Sequence, residues 1–420
     1  MTRVLPLALL AFVTLTIGCG GGKSGSDDDM ALPPGDASMG DGDGAVASTD
    51  LASGPLCKGK PGNCIAVATS IFNADFTGSG NLDTVETNTL KPTLNLDTSL
   101  DPDTTLKYQG NELFVLQRDS GAVRIYDPAT FTVKTELPVG DTANPSASAY
   151  PQDFYIAADG KLWVSLAGNK AASALGIVDR ATPGTITYVA LPQAAGDTDG
   201  KPEAFKLYPC NGKLWVLLQS YYLDTAIHYV PGRLVSVDLT TKVVGTPIAL
   251  AGQNPYDIVQ VGASCSDVVV STAAMLTSAP DGTGGLERVD LATGMSTVIA
   301  TDTMLSGRPT LLASNGTTLY VAEYFDPQPN STGGVYLSSV KIITFDVTSK
   351  KIGIDVTGKF GNVNFMQIHD GSLYFGAGVY SNVEPAGKLP RGLYITPADG
   401  TALSKSPVDL MLTPTAIAFP

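Results

Sequence analysis

The sequence predicts an all-β fold, a seven-bladed β-propeller with four antiparallel strands in each blade. Two observations support this prediction. A short phrase, an Asp that follows an alternating apolar run and precedes a Thr or Ser turn, recurs at intervals of 52 to 59 residues, and four strand-like runs separated by turn residues accompany each copy. The copies of the Asp are Asp127, Asp179, Asp238, Asp290 and Asp346, with a fainter copy at Glu86. Repetition at this period indicates one supersecondary unit used many times.

A second element precedes most copies of the phrase, and it consists of a turn residue followed by a short apolar strand. It reads Asn111–Val115, Gly160–Val164, Gly212–Val216, Thr317–Val321 and Gly371–Phe375. Gly and Asn suit a tight turn, and the apolar and aromatic residues after them suit a buried, pleated strand. Units of four strands and this length match the blades of a propeller.

Counting the strands predicts how the ring closes. Blades two to seven account for residues 104–410, which leaves three strands at the front, within Ile65–Leu96, and one at the back, Pro414–Phe419. We expect the last strand to be the innermost strand of the first blade, with Ile65–Phe72 as the second. Such closure leaves no open sheet edge that could pair with another chain.

The combination of Gly-Lys-Leu-Trp-Val strands, Val-Asp-x-x-Thr turns and Pro-led inner strands resembles the YVTN-type, surface-layer-like seven-bladed β-propellers of bacteria. The Pro-led strands start at Pro151, Pro202, Pro255 and Pro309, and the resemblance covers about residues 65–420. It implies the fold. It implies no single function, because such propellers include binding modules, electron-transfer subunits and lyases.

The N-terminal part of the chain predicts a signal peptide for export and a flexible tether. Residues 1–18 read as a signal peptide, because Arg3 precedes an apolar run that is too short to span a bilayer. Thr16-Ile17-Gly18-Cys19 resembles a lipobox, in which Cys19 is lipidated; the alternative is an ordinary cleaved signal with an incidental Cys. Residues 19–56 are rich in Gly, Asp, Ser and Pro and predict a disordered tether before a propeller domain at 57–420. We therefore expect a lipid-anchored protein of the bacterial cell envelope, at the periplasmic or surface side of the outer membrane.

The net charge limits the classes of partner, and the cysteine content predicts disulfides. The formal net charge of −14 argues against nucleic acid, because no basic patch is available to follow phosphates. Beyond Cys19 four cysteines remain, an even number in an exported protein, so disulfides are expected. Three pairings are open, and we favour Cys57 with Cys64, and Cys210 with Cys265. The last two fall in equivalent turns of neighbouring blades.

Motifs of catalysis are missing from the sequence. It contains no Gly-x-Ser-x-Gly, no His-Glu-x-x-His and no phosphate-binding Gly-rich loop. Of the two histidines, His369 is expected in a solvated turn, and His228 lies in a long excursion beside three tyrosines. No cofactor is implied and no metal site is assigned. Acidic residues near the funnel could hold a divalent cation such as calcium, or they could serve backbone groups at turns.

The connections between the second and third strands are long in blades four to seven, about Ser220–Gly232, Ala274–Gly285, Glu323–Ser339 and Gly378–Arg391. Long loops on a rigid scaffold are commonly functional, and these carry aromatic and charged residues. We expect them to form a ligand-binding face together with residues where the inner strands begin. The expected face comprises Gln152, Asp153, Glu203, Tyr221, Tyr222, His228, Tyr256, Asp257, Arg308, Glu323, Tyr324 and Tyr380. The repeated Asp residues, by contrast, are expected to form turns that are spread around the rim and do not converge on a site.

Two functional hypotheses follow. The first is a non-enzymatic scaffold that binds an envelope protein, peptide or glycan through the long-loop face. The alternative is a propeller enzyme, either a metal-dependent lyase or a quinoprotein-like oxidoreductase, with its site in the central funnel. His228 with Glu203 or Glu323 is the pair that the sequence nominates for the enzyme.

Overall fold

A computed structural model describes residues 63–72, 78–139, 150–168, 175–223, 226–276, 278–328, 337–358, 362–378, 389–403 and 406–420. In it the chain forms a seven-bladed β-propeller, so the predicted fold is confirmed. The predicted signal peptide 1–18, the lipidation site Cys19 and the tether to residue 56 lie outside the described residues, as do Cys57 and Tyr380. Within the part of the chain that is described, no helix has the length and apolar character that a membrane span needs.

The strands of each blade are given from the innermost to the outermost. Blade one contains β29 (Thr413–Ala418), β1 (Cys64–Phe72), β2 (Gly78–Glu86) and β3 (Pro92–Leu100). Blade two contains β4 (Thr104–Gln109), β5 (Glu112–Gln117), β6 (Ala122–Asp127) and β7 (Thr132–Pro138). Blade three contains β8 (Pro151–Ile156), β9 (Leu162–Leu166), β10 (Leu175–Val178) and β11 (Ile186–Val189).

Blade four contains β12 (Ala204–Cys210), β13 (Lys213–Leu218), β16 (Pro231–Asp238) and β17 (Ile248–Gln253). Blade five contains β18 (Pro255–Gln260), β19 (Asp267–Thr272), β20 (Gly285–Asp290) and β21 (Met295–Thr301), followed by the short helix α1 (Asp302–Leu305). Blade six contains β22 (Arg308–Asn315), β23 (Thr318–Gln328), β24 (Leu337–Asp346) and β25 (Lys351–Asp355). Blade seven contains β26 (Val363–His369), β27 (Ser372–Ala377) and β28 (Gly392–Pro397), and an isolated bridge between Leu393 and Val408 stands at its fourth position.

The ring closes as the sequence predicts. Strand β29 pairs antiparallel with β1, with Ala418 opposite Ala66 and Ala416 opposite Ala68. The C-terminal strand is therefore the innermost strand of the first blade. Two distinct faces result. The loop face carries the connections between second and third strands and between blades, and the turn face carries the remaining turns.

Apolar packing between blades holds the ring together. Seven clusters of buried side chains each join two adjacent blades, and together they complete the circle. The cluster at the closure joins Val67 of β1 with Phe365 of β26 and Ile417 of β29. Because successive side chains of a strand point to opposite faces, each buried strand supplies both of its neighbouring interfaces. This explains the almost continuous apolar runs such as Leu214–Leu218.

The turn face is built from local hydrogen bonds, and a disulfide joins two of its turns. The repeated Asp residues accept bonds from backbone N–H groups two or three residues later, for example from Thr241 to Asp238 at 2.7 Å and from Ala292 to Asp290 at 2.9 Å. The expectation that they form turns is confirmed. Cys210 and Cys265 form a disulfide with their Cα atoms 5.6 Å apart, which confirms that pairing. Cys64 is also disulfide-bonded, to a cysteine outside the described residues.

Two of the long connections differ from the expectation of irregular loops. The excursion of blade four forms a hairpin of β14 (Tyr221–Leu223) and β15 (Ile227–Tyr229). In blade six the strands β23 and β24 run on past the sheet of the blade, with Gln328 opposite Leu337. Glu323, Tyr324 and Phe325 therefore lie in a strand rather than a loop, because paired backbone groups extend the ladder this far.

Candidate functional site

A ring of polar residues surrounds the channel on the loop face. Five of them directly precede the residue at which an innermost strand begins to pair with the second strand of its blade, and Arg308 is itself the first paired residue of β22. We call these residues the mouth ring: Asp103, Tyr150, Glu203, Asn254, Arg308 and Asn362. Three members are almost fully buried, with exposed fractions of 2% for Glu203 and Asn254 and 1% for Arg308.

The mouth ring holds the connections of the loop face in place. Asn254 accepts a hydrogen bond from Gln219 Nε2 at 2.9 Å and donates one to the carbonyl of Ala274 at 2.9 Å. Both oxygens of Asp103 accept from Arg118 Nη1, at 3.0 and 2.9 Å. Buried polar groups of this kind are costly when unpaired, so each bond fixes a connection to the inner strand.

Arg308 is the most heavily committed member. Its Nη1 lies 2.8 Å from Asp302 Oδ2, and its other nitrogens donate to the carbonyls of Ser278 and Ala279 at 3.0 and 2.6 Å. The Asp302 carboxylate also accepts from Gly282 N–H at 2.7 Å. Arg308 was expected on the ligand-binding face, and the structure places it beneath that face, where it organises the connection 273–284 of blade five.

Glu203 supports the hairpin of blade four. Its carboxylate accepts a hydrogen bond from Tyr221 N–H at 3.1 Å, at the first residue of β14. Burial raises the pKa of Glu203 to about 9, and the nearby Asp197 and Asp199 add to the rise. The side chain is therefore protonated at neutral pH and can donate a hydrogen bond as well as accept one.

The hairpin presents two aromatic pairs on the loop face, and we call residues Tyr221–Tyr229 the aromatic hairpin. The rings of Tyr221 and Tyr229 meet edge to face with centroids 5.6 Å apart. The rings of Tyr222 and His228 stack at 4.9 Å with an angle of 14°. Tyr221 is buried while His228 is exposed, so the first pair anchors the hairpin and the second faces solvent.

A second buried acid lies at the loop-face end of blade six. Glu323 is completely buried, and its carboxylate lies 3.1 Å from Lys341 Nζ. Burial raises the pKa of Glu323 to about 7, although the Lys341 ammonium opposes the rise. Lys341 also lies 5.6 Å from the ring centroid of Phe325.

Below the mouth ring the innermost strands enclose a cavity of about 350 Å³. Its charged lining residues all come from blades two to five: Asp103, Lys107, Arg118, Asp153, Lys206 and Asp257. Blades six, seven and one contribute only uncharged residues, among them Leu311, Phe365 and Ile417. The cavity thus has one charged half and one uncharged half.

Asp153 and Asp257 join neighbouring blades at this level. The Asp153 carboxylate accepts from Leu207 N–H at 3.0 Å, and the Asp257 carboxylate accepts from Leu312 N–H at 2.9 Å. In each case the acceptor is in one blade and the donor in the inner strand of the next. The oxygens expected to face a cation therefore serve the backbone. Among the described residues no group of three or more His, Cys, Asp or Glu side chains is arranged to hold a metal ion.

The remaining residues of the expected face separate into two groups. Tyr256 lines the cavity, where its ring lies 5.5 Å from that of Phe205, and burial raises its pKa to about 12. Tyr324 also lines the cavity, and its hydroxyl donates to Asn362. Gln152 is buried and donates to the carbonyl of Tyr150 at 3.2 Å. Tyr222 and His228 belong instead to the exposed aromatic hairpin.

The pair nominated for catalysis does not form a recognisable acid–base unit. His228 is exposed and stacked on Tyr222. Glu203 accepts from the backbone of Tyr221, and Glu323 pairs with Lys341. Glu203 therefore has a backbone donor, and Glu323 has an ion-pair partner but no hydrogen bond from the described residues.

Sequence reasoning missed the cations of the cavity. Lys206 occupies the place in blade four that Asp153 and Asp257 occupy in blades three and five, two residues after the start of strand pairing. Aligning the inner strands of the repeats would have shown this exchange of acid for base. Lys107 carries no such signal, because β4 pairs with β5 without the bulge found in the inner strands of other blades.

Comparison with known proteins supports the fold. No family model matches the chain, and no curated protein matches it. Solved structures do match. A hydrazine synthase chain from Kuenenia stuttgartiensis has a TM-score of 0.53 at 14% identity, covering 86% of this chain and 100% of that one. The dihydro-heme d1 dehydrogenase NirN has a TM-score of 0.50 at 15% identity, covering 84% and 65%.

The β-propeller domain of Cps50 (Swd1) from Myceliophteria thermophila also has a TM-score of 0.50, at 13% identity, and the match covers 74% of this chain and 92% of that domain. By their names, two of these structures are a synthase and a dehydrogenase, and the third is a β-propeller domain. At such identities they establish the fold alone, and function has to be argued from the residues of this chain.

Proposed function

We propose that this protein is a lipid-anchored, non-enzymatic binding propeller of the bacterial cell envelope. Its partner is an envelope protein, peptide or glycan held at the loop face. Cys19 attaches the chain to the membrane, and the tether to residue 56 separates the propeller from it. The attachment rests on the lipobox-like Thr16–Cys19 and the apolar run before it.

The aromatic hairpin is the observation that carries the binding proposal. Tyr222 and His228 offer a stacked aromatic surface to solvent, and Glu203 holds the hairpin to the inner strand below. Rigid aromatic side chains supply contact area at a low entropic cost, and such residues commonly dominate the energy of an interface. A flat, exposed ring pair suits a peptide side chain or the apolar face of a sugar ring.

The structural contacts of the buried carboxylates favour a binding role over an enzymatic one. Glu203, Asp153 and Asp257 accept hydrogen bonds from the backbone, and Glu323 forms an ion pair with Lys341 although neither of its oxygens makes a hydrogen bond to the described residues. A general base needs a carboxylate or imidazole within reach of a substrate proton, together with a partner that orients it. In the nominated pairs His228 stacks on Tyr222, while Glu203 and Glu323 contact Tyr221 and Lys341, so neither pair forms that combination.

Photo-cross-linking in the intact cell tests the binding face, and the chain contains its own matched control. His228 stacks on Tyr222 on the loop face, and His369 stacks on Phe419 on the turn face with ring centroids 4.2 Å apart. Each histidine is replaced in turn by a photoreactive phenylalanine derivative in the full-length chain, expressed in the cells that naturally contain it. We expect an adduct from position 228 and none from position 369.

The nature of the adduct identifies the class of partner. Peptides in the adduct that do not derive from this chain, detected by mass spectrometry, indicate a protein or peptide, and loss of the added mass after treatment with a glycan hydrolase indicates a glycan. The Tyr222→Ala substitution should remove the adduct at position 228 without lowering the yield of folded protein. Equal adducts at both positions, or adducts from position 369 alone, would contradict binding through the loop face.

Metabolic labelling with a fatty-acid analogue tests the anchor. The wild-type chain should take up the label and sediment with membranes. The Cys19→Ala chain should take up none and leave the membrane fraction, because a bacterial lipid anchor depends on the acyl chains attached at that residue. Label uptake by the Cys19→Ala chain would refute lipidation at this position.

A further inference from the structure

Lys206 departs from the pattern of the inner strands at a place that faces the central cavity. At the equivalent positions Asp153 and Asp257 each accept a hydrogen bond from the inner strand of the next blade. A lysine side chain has no acceptor. The Ile258 N–H, which is equivalent to the N–H groups of Leu207 and Leu312, donates instead to its own neighbour Asp257 at 3.0 Å. At this position the chain has a cation in the cavity and lacks the hydrogen bond between blades four and five. Breaks in a local rule of this kind are expected at functional positions.

The Lys206 ammonium makes no hydrogen bond, and no ion pair within 4.0 Å, to any residue that the structure describes. Its acidic neighbours already have donors. Asp153 accepts from Lys107 Nζ at 2.7 Å and from the backbone of Leu207, and Asp257 accepts from two backbone N–H groups. Asp153 and Asp257 interact electrostatically with the Lys206 ammonium, but its three N–H donors form no hydrogen bond to the described residues.

The surroundings of the ammonium define the kind of ligand. Lys206 belongs to the charged half of the cavity. In the uncharged half the apolar side chains are packed in the clusters between blades, and the more exposed lining residues include the polar Asn364, Gln367 and Thr415. A cavity of about 350 Å³ lies at the small end of the range found for ligand pockets. A ligand for this cavity is therefore small and has an oxygen acceptor for the Lys206 ammonium.

We propose that the central cavity binds a small organic carboxylate, whose carboxyl group accepts hydrogen bonds from Lys206. A carboxylate is favoured over a neutral oxygen because Coulomb attraction to the ammonium adds to the hydrogen bond. This site is separate from the aromatic hairpin, and the two proposals can succeed or fail independently.

Calorimetric titration with matched probes tests the site. The probes are phenylacetate, 3-phenylpropionate, hexanoate and octanoate, each beside its primary amide, with the full chain as the binding protein. At least one carboxylate should bind, and its amide should bind at least tenfold more weakly. The Lys206→Met substitution keeps the aliphatic stem and should weaken binding of the carboxylate at least tenfold.

Two controls keep the result specific. Lys213→Met removes an exposed lysine on the turn face and should leave the affinity unchanged. Tyr222→Ala alters the aromatic hairpin and should also leave it unchanged, which separates this site from the loop-face proposal. Melting temperatures of all variants confirm that each is folded, and Lys206→Arg should retain most of the affinity if Lys206→Met destabilises the fold. Failure of every carboxylate to bind, equal binding of acid and amide, or undiminished binding by Lys206→Met would overturn the proposal.

Discussion

The two faces of the propeller use acidic side chains in opposite ways. On the turn face Asp238, Asp290 and Asp346 are held by backbone N–H groups in the same turn, and these bonds lower the pKa of each carboxyl. On the loop face burial raises the pKa of Glu203 to about 9, of Glu323 to about 7 and of Asp197 to about 6. The turn face therefore favours the charged form of these carboxyl groups, and the loop face favours the neutral form.

The supply of hydrogen-bond donors and of water explains the difference. Each turn-face carboxylate meets N–H groups two or three residues later and remains in contact with solvent. Asp197 is only 7% exposed, and neither of its oxygens has a hydrogen-bond partner among the described residues. A buried acid with few donors favours its neutral form. Such costs are tolerated where a site needs them, which agrees with our assignment of function to the loop face.

The largest effect is expected from a pair of arginines, one on each face. Arg308→Met removes a buried ion pair with Asp302, leaving that carboxylate with only its backbone donors and two loop carbonyls without the arginine. Breaking a buried pair from one side commonly costs about 3–5 kcal/mol. We expect a loss of this size in the free energy of unfolding, with early proteolytic cleavage in the connection 273–284.

Arg288→Met is the matched control on the turn face. Arg288 makes a two-point contact with Asp267, at 2.8 and 2.7 Å, but remains about half exposed. Exposed pairs commonly contribute about 0.2–1 kcal/mol because water and salt screen them. Equal losses from the two substitutions, measured by denaturant unfolding, would show that the loop face is no more dependent on buried charge than the turn face.

Most of the fold was predictable because its determinants are local and repeated. The Asp turns and the Gly-led strands recur in sequence, and counting them gave both the number of blades and the closure through β29. The Cys210–Cys265 disulfide followed from the same counting, since equivalent turns of adjacent blades lie side by side. The hairpin β14–β15 and the extension of β23 were not predicted, because they depend on pairing within irregular excursions that no repeat specifies.

The candidate site was predictable only in outline. The expected face contained Glu203, Tyr222 and His228, but which of them would be buried depends on how the loops fold over the mouth ring. Arg308 looked like a ligand contact, and its role beneath the surface became visible only through its bonds to Ser278 and Asp302. Lys206 could have been found in advance, because it replaces an Asp at an equivalent position of the repeat.

Replacing one acid by its amide on each face tests the central contrast most directly. Because Glu203 holds its proton more tightly when folded, unfolding releases a proton between its ordinary pKa near 4.5 and about 9. The stability that this group contributes is complete below the lower value and is lost as pH rises, by at most about 1.4 kcal/mol per pH unit. Glu203→Gln can still accept from Tyr221 N–H and should remove that slope.

The measurement is the free energy of unfolding from pH 5 to pH 9 for wild type, Glu203→Gln and Asp238→Asn. We predict that Glu203→Gln matches wild type near pH 5 and becomes progressively more stable than wild type toward pH 9. Asp238→Asn should run parallel to wild type over the same range, because the folded pKa of Asp238 is lowered and the group is ionised throughout. A Glu203→Gln profile parallel to wild type would contradict the account of the loop face.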